Sequence, residues 1–114
     1  MYHELSKSEK KIARQLIDKG LDIAYTHALA GAEAIIEKWR SQMHSNRESY
    51  LNLFKNLNKH DDDIAHRYNG LGGSKWLGTV ADLFAEEIIT EEEIQAFSEE
   101  TKKIIYTWSE WKKK

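Results

Sequence analysis

An all-α fold is predicted for this 114-residue chain by three observations. It contains no proline; Lys, Glu, Leu, Ile and Ala are plentiful; and its apolar residues recur at spacings of three and four. No segment alternates with a period of two for long, so no strand is expected. The length fits one domain, 1–114. Within it the pattern predicts two long helices forming a stem hairpin, about 8–69, and a head of short helices, about 74–113.

The first helix is announced by Ser6-Lys7-Ser8-Glu9, a capping-box pattern in which the serine and glutamate side chains satisfy free backbone N–H groups. Ile12, Ala13, Leu16 and Ile17 follow at helical spacing. Gly20 either ends this helix or weakens a longer one. From Leu21 to Met43 the residues Tyr25, Leu29, Ala32, Ile36, Trp39 and Met43 step by four and three, forming an apolar seam. Beside it run Ala24, Ala28, Gly31 and Ile35, small enough at three positions to admit a neighbouring helix closely.

Ser45-Asn46-Arg47-Glu48 is a second capping box, and Tyr50, Leu53, Phe54, Leu57, Ile64 and Tyr68 carry a seam to the stop at Asn69-Gly70. Ser74 is expected to open a shorter helix containing Trp76, Leu77, Val80, Ala81, Leu83 and Phe84. Thr90-Glu91-Glu92-Glu93 caps a very short one with Ile94 and Phe97. Ser98 starts the last, with Ile104, Ile105, Trp108 and Trp111 expected on one face. Two stem helices of about 23 residues would span roughly 34 Å each, more than the short head helices can cover. A homodimer is therefore predicted, with Tyr25, Leu29, Ile36, Trp39, Tyr50, Leu53, Leu57 and Ile64 on its seam; the alternative is a compact monomeric bundle.

Composition excludes several functions. The absence of cysteine removes disulfides, thiolate ligands and a thiol nucleophile. A net charge of −2 with interspersed signs argues against nucleic acid as a partner. No 18-residue apolar run is present, so no membrane span is expected. The polar start MYHELSKSEKK predicts no secretory signal, and a cytoplasmic location is expected.

The stretch with the most chemical character is Lys59–Gly73, KHDDDIAHRYNGLGG. Asp62 and His66 lie four apart on a helix face, as two metal ligands would, but a structural zinc site needs four. An EF-hand loop starting at Asp61 fails at Ala65 and His66. The segment reads as a solvated charged helix face, with no metal or cofactor implied. A metal-dependent hydrolase using His60, Asp61, Asp62 and His66 is the alternative. The glycine-rich turn before Ser74-Lys75 lacks the G-x-x-x-x-G-K-[ST] spacing of a phosphate loop and reads as a flexible joint. No serine nucleophile is signalled, and no enzymatic activity is expected.

The order of elements, together with Ala24-Tyr25, Leu29, Gly31, Leu53, Leu57, Ile64, Tyr68, the run Ala81–Ile89 and Glu92-Glu93-Ile94, resembles the fluorescence recovery protein family over roughly Leu16–Ile105. That resemblance implies a non-enzymatic helical dimer that binds the C-terminal domain of orange carotenoid protein and speeds its red-to-orange relaxation. It places the partner-binding positions at Leu51, Phe54, Lys55 and Asp61, where the family carries Trp, His, Asp and Arg. All four differ here, and the last two reverse charge. A head aromatic of the family falls near Gly78 and a basic residue near Ile104. A fluorescence-recovery-like homologue with a different protein partner is the second reading that the resemblance allows.

Overall fold

The computed structural model describes residues 5–70 and 75–113. The described residues form five helices and no strand: α1 (Lys7–Arg40), α2 (Asn46–Tyr68), α3 (Lys75–Ala85), α4 (Glu91–Ile94) and α5 (Glu99–Lys113). The all-α expectation holds. The glycine turn and the Ser74 cap fall at 71–74, outside the described residues.

Three capping boxes form as the sequence predicts. Ser6, Ser45 and Thr90 each accept from the backbone N–H three residues on, and Glu9, Glu48 and Glu93 reach back to the cap N–H. Helix α1 runs through Gly20 without a break, which makes it 34 residues long rather than about 23. It ends at Arg40, so Met43 is not part of the helical seam. There the Gln42 N–H bonds to the Trp39 carbonyl and the Met43 N–H to the Lys38 carbonyl, with Gln42 at φ 63°. This is a Schellman stop made without glycine. Helix α3 stops the same way at Glu87, φ 62°.

The chain divides into two compact units. One joins the N-terminal segment through Gly20 to the chain from Gly70 onward; the other is Leu21–Asn69. The boundary falls inside α1, so the predicted stem from about residue 8 includes a stretch that packs with the head residues. Ala13, Leu16 and Ile17 are buried there, as are Leu77, Val80, Ala81, Leu83, Ile89, Ile94, Phe97 and Ile105. Helices α3 and α5 are in close contact. On α5 the buried row is Thr101, Ile105 and Ser109, spaced by four, and Trp111 is 74% exposed. Trp111 therefore does not share the packed face as expected: six residues beyond Ile105, it sits about 120° around the helix. The terminal lysines are held on α3, with Lys112 2.6 Å from Asp82 and Lys113 5.9 Å above the Phe84 ring.

One carboxylate caps two helices in this unit. Glu9 Oε1 accepts from the Ser6 N–H and hydroxyl at its own helix start, while Oε2 accepts from the Ser98 N–H at 3.0 Å, the start of α5. Burial alone would raise its pKa; the hydrogen bonds from Ser98, Thr101 and Ser6 outweigh that and hold it at about 2. A carboxyl lowered by folding stabilises the protein above its unfolded value of about 4.5, and loses that contribution as pH falls toward 2. Glu9→Gln is expected to cost about 1–3 kcal/mol at neutral pH. Its urea-denaturation stability should also fall less than that of the wild type between pH 5 and pH 2, and identical acid limbs would contradict the double cap.

Candidate functional site

The second unit is a helical hairpin with almost no interior. Its two helical segments meet at small and polar residues. Asn56 Nδ2 donates to the Ala28 carbonyl at 3.3 Å, and a Cβ added at Gly31 would lie 2.8 Å from Asn56 Oδ1. Trp39 Nε1 donates to Asn46 Oδ1 at 2.7 Å beside the connecting turn. Gly31 thus allows the close approach that the small-residue stripe predicts. Only Ala28 and Ser49 are buried between Leu21 and Asn69, and the Ser49 hydroxyl has no hydrogen-bond partner among the described residues.

The large apolar side chains face outward instead. Tyr25, Leu29, Ile36, Trp39, Tyr50, Leu51, Phe54 and Leu57 are exposed, with Leu29 at 68%, Tyr50 at 69% and Phe54 at 57%. Leu53 and Ile64, the other two predicted seam residues, are half-buried. An open groove of about 400 Å³ is lined by Ile36 and Trp39 of α1 and Tyr50 and Leu53 of α2. A second, of about 290 Å³, lies between Tyr25 and the Leu57, Asp61 and Ile64 side of α2. Both stripes therefore border one continuous face. Its four aromatics, about half exposed and carrying ~150–250 Å² each, present ~300–500 Å² alone. That already matches the largest apolar patch of a typical monomer, ~300–600 Å², before the aliphatic residues are added.

Of the positions that the resemblance assigns to partner binding, all four are exposed on α2. At 100° per residue, Phe54 and Asp61 lie within the apolar stripe and Leu51 at its edge, whereas Lys55 points about 120° away from Asp61. In the HDDDIAH segment His60 is half-buried, and Asp61, Asp62, Asp63 and His66 are exposed. Among the described residues no three His, Cys, Asp or Glu side chains gather closely enough to hold a metal ion. The hydrolase alternative thus has no ligand set there. No described helix is long and apolar enough to cross a membrane.

Arg47 was not singled out by sequence reasoning as a site residue, because it reads as the ordinary interior of a capping box. It lies one turn before Leu51 and two before Phe54, on the margin of the same stripe, and is exposed. Comparison with protein-family models, curated proteins and solved structures gives no match.

Proposed function

We propose that this protein is a cytoplasmic, non-enzymatic, dimeric helical module for protein interaction, resembling fluorescence recovery protein. The observation that supports it is the hairpin's inverted burial: small residues inside, large apolar residues outside. A hairpin of that kind gains little from its own packing, and helices in water depend on tertiary burial for most of their stability. A second copy supplies the missing burial. Two such faces bring together ~600–1,000 Å² from aromatics alone, and with the aliphatic residues exceed the ~1,000 Å² that a specific interface needs.

The partner proposed from the resemblance is the C-terminal domain of orange carotenoid protein or a relative of it. The mechanism would be population shift: a module that binds one conformer better draws the equilibrium toward it in proportion to that difference. The direct measurement is red-to-orange recovery of photoactivated carotenoid protein with this protein in several-fold excess. Faster recovery is expected; an unchanged rate would remove this partner and leave a dimeric module that recognises another protein. Sedimentation of the purified chain tests the dimer separately.

A further inference from the structure

On α2 the hairpin face carries two charges, Arg47 and Asp61, among its apolar residues, and their positions are related by symmetry. Arg47 and Asp61 each lie seven residues from Phe54, one on either side. Leu51 and Leu57 lie three residues either side of it, and Tyr50 and Asn58 four. The sequence of the face is thus self-complementary about Phe54. The same holds on α1 about Ala32: Tyr25 and Trp39 are seven residues either side, Leu29 and Ile35 three. The two centres coincide in space along the hairpin. Trp39 stands beside Asn46 and Gly31 beside Asn56, which puts Ala32 level with Phe54 to within a residue.

Resting on the dimer reading above, we infer that a second copy docks antiparallel on this face, about a two-fold axis at the level of Ala32 and Phe54, with Arg47 of each copy paired to Asp61 of the other.

The charges choose this arrangement. A face that becomes covered leaves Asp61 desolvated, and a buried carboxylate without a counter-charge is costly. Helical geometry places Lys55 and Lys59 at least ~120° from Asp61, while Arg47 lies only ~40° away around the axis. Within one chain the two cannot meet, since fourteen residues separate them by ~21 Å. Neither makes an ion pair among the described residues. A two-fold axis parallel to the helices would instead set α1 against the other copy's α2. Arg47 and Asp61 would then face the levels of Trp39 and Tyr25, where the nearest exposed charges beside the α1 stripe, Arg40 and Asp22, have their own sign. Only the crossing axis lets both stripes and both charges match in one operation, as an isologous interface requires.

The test is a charge exchange read by sedimentation equilibrium. Arg47→Glu and Asp61→Arg should each weaken the dimer roughly tenfold, because each introduces two like-charge contacts. The double variant R47E/D61R should return to within a few-fold of the wild type. Mixing the two single variants should yield a heterodimer tighter than either homodimer, since both of its cross-pairs are then attractive. A second readout avoids charge altogether. The chain has no cysteine, so Ala32→Cys, at the axis, should oxidise to a disulfide-linked dimer. Tyr25→Cys, ~21 Å from its own copy in this arrangement, should not. A wild-type dimer with no rescue in the double variant or the mixture, or with linkage at Tyr25→Cys rather than Ala32→Cys, overturns the antiparallel register and leaves dimerisation standing. A monomeric wild type overturns the dimer reading and the register with it.

Discussion

Phe54→Glu should convert the protein to a monomer at micromolar concentration, with dimer affinity reduced at least ~100-fold. The expectation combines two effects of the position. Truncating an aromatic at the centre of an interface commonly costs ~2 kcal/mol or more, and two carboxylates brought together at the axis add repulsion and desolvation. In the single chain Phe54 is 57% exposed, so the substitution removes little packing within the hairpin itself. Lys59→Glu, on the opposite side of α2, should leave the affinity within about twofold and serves as the charge control. Sedimentation equilibrium across a concentration series decides it. A tight Phe54→Glu dimer would mean that the copies meet elsewhere.

The second large effect lies in the other unit. Ile105 is fully buried in the row of α5 that includes Thr101 and Ser109. Ile105→Ala should cost about 2–5 kcal/mol of unfolding free energy, the range for deleting a buried aliphatic side chain whose cavity collapses only partly. Trp111→Ala, at 74% exposure, should change stability by no more than about 0.5 kcal/mol. Urea denaturation of the two variants side by side gives the comparison. Equal losses would contradict the observed face of α5.

That pair of residues also shows where sequence was a sufficient guide and where it was not. Capping at Ser6, Ser45 and Thr90 was legible because its chemistry is confined to four residues. The stripes Tyr25–Trp39 and Tyr50–Leu57 were legible from spacing alone. On α5, apolarity pointed to Trp111, while the packed row turned out to be marked by small polar residues that let helices approach. The stops at Gln42 and Glu87 carried no signal because neither is glycine. Continuity through Gly20 was open, since one glycine weakens a helix without ending it. The double role of Glu9 was out of reach: its second partner, Ser98, lies 89 residues away. The candidate site was legible as a seam, but whether the hairpin buried that seam itself depended on Gly31 and Asn56 bringing the helices together on a different face. Arg47 gained meaning only once the levels of the two helices were known.

A hairpin whose buried residues are only Ala28 and Ser49 has a further consequence, one of abundance. In the proposed dimer, stability drawn from a second copy would follow mass action and decline with dilution, so no single melting temperature would describe such a segment. Scarce molecules would have Leu21–Asn69 open to proteases, and plentiful ones would protect one another. The amount of protein in the cell would then set how long each molecule lasts, and newly made copies would survive only above a threshold.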